Sequence, residues 1–271
     1  MGPVTELFAW AVPVWNDAPV DHTWVTTYDN RKTVYPDVSA VAKAGQFYWY
    51  CWGAFHSQGG SPGIPKGYLG KQSGDLGLAK CLVQANVDCQ TSAAARGTIF
   101  IYGVNGVCHQ LANQVLYASG TGRKKPLTVS KSRGYWLSSL VYGTYGSDTV
   151  SWANKLASCG AISPTIADAG ATTVPKLADE FEERAREMFG DDPKLLARFL
   201  ALRVEINHFV SQKWPGSTPP SAEALNARNQ ALFEQAAILL GPRRFTQFFG
   251  FEPGEKIDLV DPRMLEPFRR K

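Results

Sequence analysis

The pattern of apolar and polar positions divides the chain into two parts of different character. Up to about residue 165, short runs rich in Trp, Tyr, Thr and Val are separated by turn residues, which is typical of strands. From about residue 170, charged residues alternate with Leu, Ala and Phe at helical spacing. We therefore expect two domains, residues 1–165 and 166–271, with a linker around 160–175.

Three runs in the first part predict strands. They are residues 21–28 (DHTWVTTY), residues 46–55 (QFYWYCWGAF) and residues 97–104 (GTIFIYGV), of which the second is expected to be the more buried. Residues 57–77 are rich in Gly, Pro, Ser and Lys, so they predict a long loop, and loops of this length often act as lids or binding loops.

One clear helix is predicted in the first part. It begins at Cys108, places Leu111, Val115 and Ala118 on one face, and ends at Gly120. The second part predicts helices that form a small bundle. One has a buried face from Leu177 to Met188, the next begins at Pro193 with a buried stripe from Leu196 to Phe209, a third runs from Ser221 to Gly241, and a short fourth covers 245–249.

The composition favours a folded protein and gives no sign of nucleic-acid binding. Hydrophobic residues make up 44% of the 271 residues and the formal net charge is only +4, so a core can form while the charge is too weak to indicate nucleic acid. The N-terminus has no basic and apolar signal-peptide pattern, and no apolar run is long enough to cross a bilayer. We expect a soluble protein that is cytoplasmic where it is made; an effector exported without a leader would look the same.

The five cysteines leave at least one outside any intramolecular pair. A bridge such as Cys81–Cys89 could form after export, although a chain of this length does not need one to fold. A zinc set of Cys81, Cys89, Cys108 and His109 lacks the usual Cys-x-x-Cys spacing. We therefore expect neither a metal nor a cofactor.

Cys108 lies where a cysteine becomes a nucleophile. A helix N-terminus presents backbone N–H groups and a partial positive charge, which favour thiolate over thiol. The same N–H groups can hold the oxyanion of a tetrahedral intermediate. Gly103 and Gly106, just before the helix, allow a tight turn and a close approach of substrate.

A thiolate of this kind needs a base from elsewhere in the chain. His109 is a poor partner, because neighbouring helical positions point about 100° apart. His22 is the better candidate, since it lies in a predicted strand beside Trp24. His56 closes the second aromatic strand at the edge of the Gly-rich loop, whereas His208 lies within a helix of the second part and is taken as structural.

A strand histidine that precedes a helix-start cysteine resembles the circularly permuted papain-like group, which includes lecithin:retinol acyltransferase-like proteins and permuted relatives of NlpC-type peptidases. The resemblance covers about residues 20–120 and rests on DHTWVTTYD and GVNGVCHQLANQVL, with Val107 in place of the Asn of the common Asn-Cys pair. It implies an α+β fold with a papain-like antiparallel sheet and a nucleophile helix. It also implies a polar residue that orients His22, for which His56 is the first choice and Asp29 the next.

The sequence thus predicts a thiol-dependent hydrolase or acyltransferase that acts on an amide or ester bond, as a peptidase, amidase or deamidase does. A peptide, a protein or peptidoglycan would be the substrate, and a secreted bacterial effector fits the same analogy. Candidate substrate-binding residues are Asp29, Trp52, Asn105 and Gln110, of which Gln110 could instead cap the helix and pack.

Two alternatives remain open. In one, the aromatic strands and the 57–77 loop form a non-enzymatic binding surface, and the helical part docks a protein partner. In the other, the cysteines and histidines bind a metal.

Overall fold

The computed structural model describes residues 4–14, 17–36, 38–49, 67–83, 101–120, 126–159, 179–212 and 220–262. The strands in these ranges are β1 (Val4–Pro13), β2 (Asp21–Thr26), β3 (Tyr48–Trp49) and β4 (Tyr68–Asp75). The helices before residue 160 are α1 (Val38–Lys43), α2 (Leu76–Val83), α3 (Cys108–Ser119), α4 (Tyr135–Tyr142) and α5 (Thr149–Ser158). The later helices are α6 (Glu180–Phe189), α7 (Pro193–Gln212), α8 (Ala222–Leu240) and α9 (Pro242–Phe249). The expected mixed α+β architecture is confirmed.

The described strands form one antiparallel sheet in the order β3-β2-β1-β4. β1 is central and its middle run, Leu7–Ala11, is buried throughout, as a strand covered on both faces requires. Successive side chains alternate between two clusters: Leu7 and Ala9 join the main core, whereas Phe8 and Trp10 join a second, smaller one. The pairing with β1 also sets the position of His22 on β2, because His22 lies opposite Val12 in the register of the two strands.

The prediction of a loop over 57–77 is wrong for the part that the structure describes. Tyr68–Asp75 forms β4 along the free side of β1, and α2 follows directly. Polar contacts stabilise this strand where apolar alternation is missing. The buried Gln72 amide donates to the Leu116 carbonyl and to Ser119 Oγ, and its Oε1 accepts from the Leu127 N–H. Residues 57–66 lie outside the described residues.

The other predicted strands are only partly described. The prediction of a strand at 21–28 is confirmed over β2, and that at 46–55 over the short β3, with residues 50–55 outside the described range. The prediction for 97–104 is wrong at its described end. There the chain turns, with one bridge between Tyr102 and Gly106, and Gly103 adopts φ +76°, which favours glycine.

Helices are more numerous in the first part than predicted. The start of α3 at Cys108 and its end before Gly120 are confirmed. Four further helices, α1, α2, α4 and α5, also lie before residue 160. α4 has seven buried residues in its eight, so it lacks the polar face that makes a helix visible in sequence.

Capping residues set the starts of the later helices, and the predicted start after Ser221 is confirmed. Asp179 accepts hydrogen bonds from the N–H groups of Phe181 and Glu182, and Ser221 caps α8. The buried stripe of α7 differs from the prediction at its end. Phe209 is 37% exposed, and Val210 takes the buried position instead.

The later helices pack on the first part of the chain. α4 contacts α6, α7, α8 and α9, and the main core contains apolar residues from both parts. Glu180 on α6 also accepts hydrogen bonds from Thr128 and Tyr135. The predicted boundary between residues 165 and 166 lies outside the described residues, and the division into two domains stays a prediction.

A disulfide joins the first-part helices in a way that the sequence did not indicate. Cys81 on α2 bonds to Cys159, which follows α5, rather than to Cys89, which lies outside the described residues. Within the described ranges, no helix combines the length and the apolar character that crossing a membrane needs.

Candidate active site

Cys108 is the first residue of α3, and the fold holds this helix end firmly. The preceding Val107 is extended and has no side chain that can cap the helix. Instead, Gln110 Oε1 accepts a hydrogen bond from the Val107 N–H at 3.0 Å. Leu111 and Val115 bury the apolar face of α3 in the main core. The start of the helix, and the Cys108 thiol with it, is therefore fixed in position.

Strand β2 brings a histidine to this helix end. Cys108 Sγ lies 3.9 Å from the carbonyl oxygen of Asp21, and His22 is the next residue along the strand. A cavity of about 10 Å³ lies between β2, α3 and a C-terminal segment. Its polar lining consists of Asp21, His22, Cys108, His109, Asp258 and Asp261. The predicted pair of Cys108 and His22 thus lines one cavity.

His22 is oriented by its neighbours in the sheet. Its ring stacks on that of Trp24, with 6.0 Å between the ring centroids and 14° between the planes. Trp24 in turn stacks on Trp10 of β1. A row of buried aromatic rings therefore supports the imidazole from one side.

His109 is the second imidazole at the cavity, and both of its ring nitrogens are engaged by protein groups. Nε2 lies 3.0 Å from the Asp21 carbonyl oxygen and Nδ1 lies 2.8 Å from Ser138 Oγ. Burial lowers the pKa of His109 below its ordinary value, so the ring is neutral near pH 7. A carbonyl only accepts, so Nε2 carries the proton and Nδ1 accepts from the Ser138 hydroxyl. The ring is thus held by groups on β2 and α4.

Asp21 ties the end of β2 to the loop before α4. Its carboxylate accepts hydrogen bonds from the Arg133 backbone N–H at 2.8 Å and from Arg133 Nε at 3.0 Å. The guanidinium also forms an ion pair with the carboxylate at 3.0 Å. Asp21 therefore fixes the backbone on which His22 sits. Asp21 was not among the predicted site residues, although it is adjacent to His22 in the chain.

Asp258 and Asp261 reach the same cavity from the far end of the chain. No local signal in the sequence connects them to Cys108, because they belong to an irregular segment after α9. They are brought there by the packing of that segment on α8 and on the turn before α3, and only the folded structure shows this.

The structure places three predicted residues away from the described cavity lining. The Asp29 carboxylate pairs with Arg31 at 2.9 Å, and this hydrogen bond lowers the pKa of Asp29. Asn105 Oδ1 accepts from the Ile101 N–H at 2.8 Å and stabilises the turn. The Gln110 side chain donates to the Gly143 carbonyl at 3.0 Å in addition to its bond with the helix start. All three side chains serve the fold, and the prediction that they contact substrate finds no support in this geometry.

Two other predicted residues, Trp52 and His56, lie outside the described residues. Among the residues that are described, no three or more His, Cys, Asp or Glu side chains are grouped so that they could hold a metal ion.

No protein-family model, no curated protein and no solved structure matches the chain. The case for a function therefore depends on the residues of this cavity.

Proposed function

We propose that the protein is a thiol-dependent hydrolase or acyltransferase that acts on an amide or ester bond. The observation that carries the proposal is a cavity lined by both a helix-start cysteine, Cys108, and the strand histidine His22. A helix N-terminus favours the thiolate, and a nearby imidazole can accept its proton.

His22 suits the role of base better than His109. The Asp21 carbonyl accepts a hydrogen bond from Nε2 of His109, and Nδ1 lies 2.8 Å from the Ser138 hydroxyl oxygen. Both ring nitrogens are thus engaged by protein groups, and burial lowers the pKa of the ring, which disfavours uptake of the thiol proton. His109 instead acts as a positioning residue, because its bond to Asp21 fixes the backbone directly before His22.

The reaction would proceed in two steps. His22 takes the proton of Cys108, and Sγ attacks the carbonyl carbon of the substrate to form a tetrahedral intermediate. Backbone N–H groups at the start of α3 stabilise its oxyanion. The C–N or C–O bond then breaks, and the leaving group takes the proton from His22. Water or another nucleophile, deprotonated by His22, attacks the thioester and restores the thiol.

The rival idea of a binding surface made from aromatic strands receives no support from the described residues. The aromatic side chains of β1, β2 and β3 are buried in the two hydrophobic clusters. These rings pack in the interior in this structure and are not exposed to a ligand.

The proposal is tested by acylation with a small activated ester. The purified protein is treated with p-nitrophenyl acetate, and release of p-nitrophenolate is followed together with acetylation of the tryptic peptide 97–123. Cys108 is the only cysteine in that peptide, and the peptide contains no lysine. We expect rapid acetylation at Cys108 that the Cys108→Ser variant loses.

The base is tested with His22→Gln, and the matched control is His208→Gln on the exposed side of α7. Removing a general base typically slows such a reaction by about 10²-fold or more. We expect that loss for His22→Gln and no change for His208→Gln. Equal acetylation of the wild type and His22→Gln would remove His22 from the mechanism, and absence of acetylation at Cys108 would refute the proposed function.

A further inference from the structure

We infer that a short C-terminal segment, Ile257–Asp261, is a displaceable strap that closes the Cys108 site and must open before a substrate can enter. This inference concerns the regulation of the same site and rests on the proposed function. Asp258, Leu259 and Asp261 of the strap line the cavity with Cys108 and His22.

The site is closed in this structure. Cys108 is only 6% exposed and His22 only 4% exposed. The cavity of about 10 Å³ is roughly the size that a single water molecule needs. Attack on an amide or ester requires the acyl group to come within bonding distance of Sγ, and no acyl group fits in a space of this size. A nucleophile in this position therefore needs an opening motion.

The strap is the element best suited to that motion. It has no helical or strand hydrogen bonding of its own, and side chains from other elements hold its backbone. Asn226 on α8 holds both polar groups of the Val260 backbone, since its Nδ2 donates to the carbonyl at 2.9 Å and its Oδ1 accepts from the N–H at 2.9 Å. The cavity walls formed by β2 and α3 are held by the hydrogen bonding of the sheet and of the helix, so they are less suited to move.

Weaker contacts continue the attachment on either side of Asn226. The Asp261 N–H donates to the Tyr102 hydroxyl at 3.2 Å, and the Ile257 N–H donates to Gln230 Oε1 at 3.4 Å. Ile257, Leu259 and Val260 are buried, so the closed state is also favoured by apolar contacts. A few side-chain hydrogen bonds and three apolar residues thus determine how often the strap opens. A segment held by so few contacts is expected to unfold locally without the rest of the protein.

Opening is measured by the reactivity of the Cys108 thiol. Iodoacetamide is added at fixed pH without denaturant, and alkylation of the 97–123 peptide is followed by mass spectrometry. The clamp is removed in Asn226→Ala. Gln235→Ala is the matched control, because it truncates an exposed amide on the same helix.

The expected result is faster alkylation of Asn226→Ala by about 30-fold, which corresponds to two hydrogen bonds of about 1 kcal/mol each. Gln235→Ala should react at the wild-type rate. In both the wild type and Asn226→Ala, the rate should change little with low concentrations of urea, because a local opening exposes little surface.

Two results would refute the inference that the strap opens. One is an unchanged alkylation rate in Asn226→Ala. The other is a rate that rises with urea as steeply as global unfolding does, which would mean that the thiol reacts only in the unfolded chain. The readout does not require Cys108 to be catalytic. Faster alkylation of Asn226→Ala combined with no acetylation at Cys108 would support the opening of the strap and refute the proposed function. Unchanged alkylation of Asn226→Ala combined with acetylation at Cys108 would refute the opening of the strap and support the proposed function.

Discussion

Acidification should destabilise this protein through His109. Burial lowers the pKa of this side chain in the folded protein below the ordinary value of 6.5. The unfolded chain therefore binds this proton more readily than the folded protein does. Stability rises with pH wherever the unfolded state binds more protons, so the His109 contribution is complete above pH 6.5 and is lost as the pH falls below that value.

The size of the effect follows from linkage. One proton bound only by the unfolded state changes the free energy of unfolding by about 1.4 kcal/mol per pH unit. The slope lasts as long as the buried ring of the folded protein, which is 0% exposed, stays neutral. Hydrogen bonding opposes protonation only weakly. Ser138 Oγ lies 2.8 Å from the Tyr135 carbonyl as well, so its hydroxyl can turn there and accept a proton from Nδ1. Loss of solvation thus dominates the cost.

Urea unfolding followed by tryptophan fluorescence provides the assay, at several pH values from 7.5 to 5. Comparison of the wild type with His109→Gln cancels the contribution of the carboxylates that both proteins share. We expect the free energy of unfolding to fall more steeply in the wild type, by up to about 1.4 kcal/mol per pH unit below 6.5. His208→Gln, at an exposed position of α7, should follow the wild type. Parallel pH curves for the wild type and His109→Gln would contradict this prediction, because they would show that His109 takes up its proton equally in the folded and the unfolded states.

Two further predictions concern the contacts that hold the fold around the site. Gln72→Leu removes three hydrogen bonds that join β4 to α3 and to the following loop, and it should lower the free energy of unfolding in urea by about 3 kcal/mol. Lys71→Ala removes the neighbouring exposed side chain and its ion pair with Glu6, and it should unfold close to the wild type. Glu180→Ala removes the carboxylate that accepts hydrogen bonds from the Thr128 and Tyr135 hydroxyl groups, and it should also lower the free energy of unfolding by about 3 kcal/mol. The exposed Glu187→Ala should unfold like the wild type. Circular dichroism and fluorescence should report one common transition, because apolar residues from both parts of the chain form the main core. A loss below about 1 kcal/mol for either Gln72→Leu or Glu180→Ala, or two separate transitions, would contradict these contacts.

Local signals were sufficient to predict several elements. The start of α3 at Cys108 follows from the turn glycines and the helical spacing of the apolar residues after them. Pro193 and Ser221 mark the starts of α7 and α8 because their effects act within one helical turn. The identity of the candidate nucleophile and base could likewise be inferred, because each depends on the element that carries it.

Elements stabilised by distant contacts could not be predicted in this way. β4 has no apolar alternation, and its pairing depends on β1 and on the contacts of Gln72 with residues more than forty positions away. α4 is buried almost throughout and shows no polar face. Asp258 and Asp261 could not be predicted as site residues either, because only the packing of the strap brings them to the cavity that Cys108 lines. For Gln110 the sequence left open whether its side chain binds substrate or caps the helix, and only the folded structure shows that its amide is used at the helix start and by the Gly143 carbonyl.

The disulfide gives the chain a topology that bears on the site. The bond between Cys81 and Cys159 closes a covalent ring that contains α3 with Cys108 and His109, whereas His22 lies on the arm before the ring and the strap on the arm after it. The nucleophile thus lies within the covalent ring and the strap lies on the arm after it, so the strap can move away while every bond of the ring stays intact. A single cut of the backbone between the two cysteines would likewise leave one covalent molecule, with the nucleophile helix still tethered to both arms.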